Sequence, residues 1–186
     1  MVYEVEKRVL FDSKEMFDRC EEAVQKRGQR AEGNIYKSFL FSKPSYLRIR
    51  IVRGKDSAEV TIKKGTYEDV AREEKTEFVK LVALKDYVAK LLKQGYESCA
   101  CVKTENQDYI VDGLKVSFNV IEELGRIVEI EGLTEDEGEV GNINEQIVFL
   151  MGELGLEELG VGDYQKMMDK MYKKTTKPIF EQELVV

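Results

Sequence analysis

The first strand-like segment of this chain, Val2 to Leu10, carries ionisable side chains along one face. Because successive side chains of an extended strand point to opposite faces, Glu4, Glu6 and Arg8 lie on the same side of it. Two carboxylates at neighbouring positions on one face repel each other, and a folded protein tolerates them at low cost when both are solvated or both bind a cation. The segment therefore limits the chain to folds in which this face meets either water or a cationic ligand.

The same one-sided arrangement of charge recurs in later segments that alternate like strands. Glu129 and Glu131 repeat the carboxylate pair near the end of the predicted sheet. The simplest register of two other segments turns Lys75 and Lys103 towards the same polar face. The basic residues assigned to polar strand faces are Arg8, Arg48, Arg50, Lys63, Lys75 and Lys103.

Apolar residues at helical spacing predict helices between and after these strands. A tight turn is predicted at Asp112-Gly113, a pair typical of β-hairpins. Of the four predicted helices, the first follows Asp12 and ends near Gly28, and the second runs from Leu84 to Gly95. The third begins at a capping box of Asn142 and Glu145, and the fourth begins at Asp163.

The composition excludes several classes of function. A net charge of −7 argues against a general nucleic-acid binder, because affinity for phosphate backbones needs a basic surface. Histidine is absent, which removes the commonest general base and zinc ligand, so that any metal must have oxygen ligands. The three cysteines have no Cys-x-x-Cys spacing and are interpreted as packed thiols.

The chain length of 186 residues predicts one domain, 1–173, followed by a tail, 174–186. No apolar run approaches the roughly 20 residues of a membrane-spanning helix, and the amino terminus does not resemble a signal peptide. We therefore expect a cytoplasmic, soluble protein without membrane or nucleic-acid partners.

Two interpretations of the polar strand faces remain open. Each face taken singly is typical of an antiparallel sheet with one side in water, and Arg48 and Arg50 could simply neutralise the glutamates in a structural ion network. The sorting of carboxylate pairs and cations onto separate strands favours a barrel whose polar face is its interior. The ligand of such an interior would be a polyanion with a hard cation, Mg²⁺ or Mn²⁺.

The ordered motifs of the chain resemble those of the CYTH superfamily, the triphosphate tunnel metalloenzymes. The resemblance extends from Tyr3 to about Met168. The matching motifs are Glu4-x-Glu6-x-Arg8, Leu47-Arg-Ile-Arg50, Thr61-Ile-Lys63-Lys-Gly65, Val102-Lys103, and Leu124-Gly125 followed by Val128-Glu-Ile-Glu131.

This resemblance implies an α+β fold, an eight-stranded antiparallel closed β-barrel, or tunnel, with flanking helices. It implies a metal-dependent hydrolase of inorganic triphosphate or a small organic triphosphate such as thiamine triphosphate. The alternatives are a class IV adenylyl cyclase and a non-catalytic polyphosphate-binding module. Family members are often dimers, but no exposed apolar stripe in the sequence decides the oligomeric state. By position, the metal ligands and catalytic residues would be Glu4, Glu6, Glu129 and Glu131, and the phosphate-binding residues Arg8, Arg48, Arg50, Lys63, Lys75 and Lys103.

Three residues depart from the family pattern. Arg8 stands where lysine is usual, which keeps the charge but changes its hydrogen-bonding geometry. Glu105 stands where a Lys-x-Arg pair would place arginine, and Asn119 where an acidic residue usually helps to hold metal. These departures leave altered substrate preference, weakened activity and a misread strand register as open interpretations.

Overall fold

The computed structural model describes residues 2–65 and 69–179, without the side chain of residue 32. This part of the chain contains nine strands and four α-helices. The strands are β1 Val2–Phe11, β2 Gln29–Phe41, β3 Leu47–Val52, β4 Ser57–Lys64, β5 Ala71–Lys80, β6 Ser98–Val111, β7 Leu114–Ile121, β8 Gly125–Thr134 and β9 Thr176–Pro178. The helices are α1 Lys14–Arg27, α2 Leu84–Lys93, α3 Val140–Glu153 and α4 Val161–Thr175.

Eight of the strands form a closed antiparallel barrel, so the predicted α+β tunnel with flanking helices is confirmed. The order around the barrel is β2-β3-β4-β5-β1-β8-β7-β6, and pairing of β2 with β6 closes it. In the longest pairing of β1, Glu6 lies opposite Glu131 and Arg8 opposite Glu129 on β8. The register thus brings the two predicted carboxylate pairs onto neighbouring strands.

The hydrophobic core lies on the outer face of the barrel, beneath the helices. One cluster joins Val5 and Phe118 of the sheet to α1 and α3, and a second joins Phe39 to Leu84 of α2. Each fully buried side chain of this size contributes about 1.5–3 kcal/mol. Because strand side chains alternate, apolar residues on the outer face leave the polar ones to face inward.

The carboxyl end of α1 and the β6–β7 turn agree with the sequence prediction, whereas the residue that caps the start of α1 is Ser13 rather than Asp12. The Ser13 hydroxyl accepts a hydrogen bond from the Met16 amide at 3.4 Å at the start of α1, and Gly28 follows its last turn. Asp112 and Gly113 both have positive φ, 51° and 84°, as a two-residue type I′ hairpin requires.

The predicted starts of α3 and α4 are wrong. A 3₁₀ turn, Glu137–Glu139, leads directly into α3, and Asp136 accepts from the Gly138 amide at 2.9 Å, so the start signal is Asp136 rather than Asn142. The residue before α4 is Gly160, and Asp163 pairs within the first turn with Lys166 at 2.9 Å.

The final described segment is ordered against the barrel. Residues 174 and 175 belong to α4, β9 pairs with Ser98–Ala100 of β6, and Ile179 is 1% exposed. The rest of the predicted tail, 180–186, lies outside the described residues. Among the helices of the described ranges, none is both long and apolar enough to cross a bilayer.

Candidate functional site

The barrel encloses a polar cavity of about 430 Å³, to which all eight of its strands contribute side chains. That volume lies in the range of small-molecule binding sites, about 300–1,000 Å³. Its charged lining among the described residues consists of Arg8, Arg48, Arg50, Lys63, Arg72 and Lys115, with Glu4, Glu6, Glu59, Glu74, Asp108, Glu129 and Glu131. Charges of both signs are thus held in one enclosed space.

Three of the predicted metal ligands meet in a cluster. One carboxylate oxygen from each of Glu4, Glu6 and Glu131 lies within 4.8 Å of the others. Oxygen-only donors of this kind are what Mg²⁺ and Mn²⁺ prefer, and the chain contains no histidine to favour a softer metal. The donor set therefore fits a hard divalent cation.

Basic side chains neutralise these carboxylates. The Lys63 ammonium binds Glu4, and the Arg72 guanidinium lies 2.9 Å from Glu6 and 3.4 Å from Glu4. Arg8 also binds Glu6. The acidic cluster is therefore compensated by side chains that could release it to a divalent cation.

Burial and ion pairing shift the pKa values of the two carboxyl groups of β1 in opposite directions. Burial and the neighbouring Glu6 carboxylate raise the pKa of Glu4 to about 7, against the attraction of Lys63. Burial opposes ionisation of Glu6 as well, but Arg8, Lys63 and Arg72 lower the pKa of Glu6 to about 2. Glu6 is thus the permanently charged member of the pair.

The fourth predicted ligand, Glu129, lies beside Glu6 but is also held by two further partners. Its carboxylate accepts hydrogen bonds from Arg8 Nε at 3.1 Å and from the Asn119 amide at 3.2 Å. Burial, with repulsion from Glu6, raises the pKa of Glu129. Asn119 therefore orients a carboxylate through its amide group.

Arg48 and Arg50 lie on the wall formed by β3. Their Nε atoms are buried and make no hydrogen bond within the described part of the protein. Arg50 stacks on Tyr36, with its Cζ 4.2 Å from the ring centroid, and lies 3.6 Å from Glu59. Buried donors without acceptors are costly, which makes this wall a place for an anionic ligand.

Lys75 and Lys103 lie on the outer face of the barrel, so the inward register expected for them is wrong. Both side chains are exposed, as is that of Glu105. Val79 and Tyr109 share their parity and pack into the outer clusters, which fixes the register of β5 and β6. The departure at Glu105 is thus a misread register and has no bearing on the tunnel.

Sequence reasoning missed inward-facing residues on several strands. Arg72 and Glu74 face inward on β5, where Lys75 was expected. Lys115 faces inward and lies 2.5 Å from Glu131, and its parity with Asn119 was a usable signal. The missed lining residues that bear on the site are Tyr36, Arg72, Glu74, Asn106 and Lys115.

Helix α4 packs at one end of the cavity. Tyr164 and Met168 join its lining, and the Tyr164 ring stacks on Arg8 with 4.5 Å between the guanidinium carbon and the ring centroid. The Met168 side chain is 3% exposed and packs with Leu40 and Val102, inward-facing residues of β2 and β6. Met168 and Met171 therefore belong to an apolar cluster that covers this end of the tunnel.

The family model of the CYTH domain matches residues 3–161. No curated protein matches the sequence significantly.

Solved structures share the tunnel fold across nearly the whole chain. The PH1819 protein of Pyrococcus horikoshii OT3 is 21% identical with a TM-score of 0.74, over 90% of this chain and 98% of that one. A candidate adenylate cyclase from Vibrio parahaemolyticus is 16% identical with a TM-score of 0.67, over 90% and 98%. HpAC1 from Hippeastrum, a candidate adenylyl cyclase with a dominant triphosphatase activity, is 17% identical with a TM-score of 0.60, over 91% and 96%.

Proposed function

This chain belongs to the CYTH domain family, and on that premise we propose that it is a divalent-metal-dependent hydrolase of inorganic triphosphate or a small organic triphosphate. The substrate binds inside the tunnel, and the cation, Mg²⁺ or Mn²⁺, binds at Glu4, Glu6 and Glu131. The observation that carries the proposal is that three clustered carboxylates share one cavity with the buried Nε atoms of Arg48 and Arg50, which have no hydrogen-bond partner among the described residues.

Two groups of basic residues in the tunnel have different roles in binding the substrate. Arg48 and Arg50 donate to phosphate oxygens from β3, where guanidinium groups suit the geometry of phosphate. Lys63 and Arg8 neutralise the negative charge that accumulates on the transferred group. When bound, the cation supplies Lewis-acid polarisation of the phosphate oxygens.

Glu129 is assigned the role of holding the attacking water. Its carboxylate lies beside that of Glu6, and Arg8 and Asn119 fix its orientation. The water oxygen bonds to the terminal phosphorus as the bridging P–O bond breaks, and the electron pair of that bond leaves on diphosphate. The water proton passes to the Glu129 carboxylate and then to solvent.

The second candidate is adenylyl cyclase activity on ATP. It is favoured by the shared fold of the Vibrio protein, whereas the dominant triphosphatase activity of HpAC1 favours hydrolysis. The non-catalytic alternative loses its main motive, because Glu105 lies on the outer face.

One assay separates the candidates. The protein is incubated with Mg²⁺ or Mn²⁺ and either triphosphate or ATP, and phosphate is measured alongside cyclic AMP and diphosphate, with binding followed by calorimetry. We expect phosphate release from triphosphate, and cyclic AMP as the main product would instead establish the cyclase. Binding without turnover under either metal would leave a non-catalytic module.

The role of the cluster is tested by Glu4→Gln, with Glu105→Gln on the outer face as the matched control. Loss of a metal ligand should lower kcat by about 100-fold or more, while the control keeps the wild-type rate. Equal rates for Glu4→Gln and wild type would exclude the cluster as the metal site.

A further inference from the structure

Tyr36 contacts both Arg50 and Asn119 inside the tunnel. It lies on β2, is 8% exposed and sits opposite Val52 of β3 and Thr104 of β6. Its ring faces the Arg50 guanidinium, and its hydroxyl donates to Asn119 Oδ1 at 3.3 Å. One side chain therefore contacts both the anion-binding wall and the residue that orients Glu129.

The ring of Tyr36 supports Arg50 without occupying its donors. Arg50 Nε is buried and makes no hydrogen bond in the described ranges, and the carboxylate of Glu59 lies 3.6 Å from its Nη1. A cation over an aromatic face is attracted to the ring while its N–H groups remain available to a ligand in its plane. The stacking thus holds the guanidinium ready for an anion.

The hydroxyl of Tyr36 acts at a different place. Asn119 is 1% exposed, accepts from Tyr36 and from the Asn106 amide at 3.1 Å, and donates to Glu129. With its oxygen engaged by two donors, the Asn119 amide can present only its NH₂ group to Glu129. The Tyr36 hydroxyl therefore helps to fix the direction in which Asn119 holds this carboxylate.

We propose that Tyr36 is a bifunctional positioning residue, whose ring sets the affinity for triphosphate through Arg50 and whose hydroxyl sets the turnover rate through Asn119 and Glu129. The inference deepens the hydrolase assignment above and rests on it for the turnover part. It predicts that binding and catalysis separate between two substitutions at this single position.

The test compares Tyr36→Phe, which keeps the ring, with Tyr36→Leu, which keeps neither ring nor hydroxyl. The dissociation constant of inorganic triphosphate is measured by calorimetry in a chelating buffer, and kcat with Mg²⁺. Tyr36→Phe should bind within about twofold of wild type but turn over about fivefold to tenfold more slowly, as expected for one lost hydrogen bond. Tyr36→Leu should also bind about tenfold more weakly.

Tyr109→Phe is the matched control. Like Tyr36, this tyrosine donates a hydrogen bond from its hydroxyl, here to the carboxylate of Glu21 at 2.9 Å, but it packs in the outer core. It should leave both the dissociation constant and kcat unchanged. Near-ultraviolet circular dichroism of all variants confirms that each is folded, and Tyr36→Phe alone still tests the hydroxyl if Tyr36→Leu does not fold.

A double-mutant cycle tests the path through Asn119. Because the hydroxyl acts through this amide, Tyr36→Phe should lower kcat no further in an Asn119→Ala background. Additive losses, an unchanged kcat in Tyr36→Phe, or wild-type affinity in Tyr36→Leu would each overturn the proposal. A wild-type protein that binds triphosphate without turnover would refute the hydrolase assignment and with it the hydroxyl's role, while the affinities would still decide the role of the ring.

Discussion

Replacing Arg72 by methionine isolates the electrostatic balance at the carboxylate cluster. The Arg72 guanidinium is buried and bridges the two glutamates of β1, at 2.9 Å from Glu6 and 3.4 Å from Glu4. Methionine retains much of the length and apolar character of the side chain but removes its positive charge. The substitution thus leaves two buried carboxylates with one neutralising group fewer.

The loss of folding stability in Arg72→Met depends on which ion-pair partners Glu4 and Glu6 keep. Removing one member of a buried ion pair costs about 3–5 kcal/mol, because the other charge stays buried. Glu6 retains Arg8 and Glu4 retains Lys63, so the lower end applies, about 3 kcal/mol. In a protein of this size that corresponds to a fall in Tm of about 6–12 °C.

Urea unfolding followed by circular dichroism, with chelator and then with Mg²⁺, measures both parts of this prediction. In chelator, Arg72→Met should unfold at lower urea than wild type. Mg²⁺ should restore more stability to the variant than to wild type, since the cation replaces the missing charge, and saturation at 100 times the dissociation constant adds about 2.7 kcal/mol. The control is Arg19→Met, whose ion pair with Glu15 on α1 is exposed.

Two results would refute this reasoning. Equal stability of Arg72→Met and wild type in chelator would mean that the arginine does not neutralise the cluster. Equal stabilisation of both proteins by Mg²⁺ would mean that the cation binds elsewhere.

Three further predictions concern the tunnel wall, the core and the thiols. Arg48→Met should weaken triphosphate binding by about tenfold or more in calorimetry, whereas Lys103→Met on the outer face should not, and equal losses would contradict the assigned register. Gly132→Ala should lower the urea-derived stability by about 1–3 kcal/mol, because its Cβ would lie 2.5 Å from an isoleucine of α3, while Gly141→Ala, with open space around it, should not destabilise the protein. Burial raises the pKa of Cys20 to about 11, so a disulfide reagent at pH 8 should modify this thiol slowly until urea is added, and rapid modification in the native state would contradict its burial.

The fold could be predicted where one face of a strand is apolar. In β7, Leu114, Val116 and Phe118 alternate with polar residues and face the outer core, and the predicted Asp112-Gly113 turn precedes them. In β1 the charged face identified at the start of the chain is the inward one. A half-apolar strand specifies its own orientation, because turning it over would expose the apolar half.

The register of β5 and the partners of Glu129 could not be predicted from any single segment of the sequence. Strand β5 carries charges on both faces, so local alternation left its register undetermined and placed Lys75 inward. The orientation of Glu129 depends on Arg8 lying opposite it across the β1–β8 pair. Pairings of this kind are set by strand register around the whole barrel, which only the closed structure supplies.

The position of the hydrophobic core outside the barrel has a consequence for how such a protein can diverge. Val5 and its neighbours bind the helices to the sheet, whereas Glu4 and Glu6, on the same strand, take no part in that packing. Substitutions among the charged inward-facing residues can therefore change which anion is recognised while α1, α2 and α3 keep their packing against the outer face. Proteins with this architecture can therefore change their ligand specificity without changing the packing between the sheet and these helices.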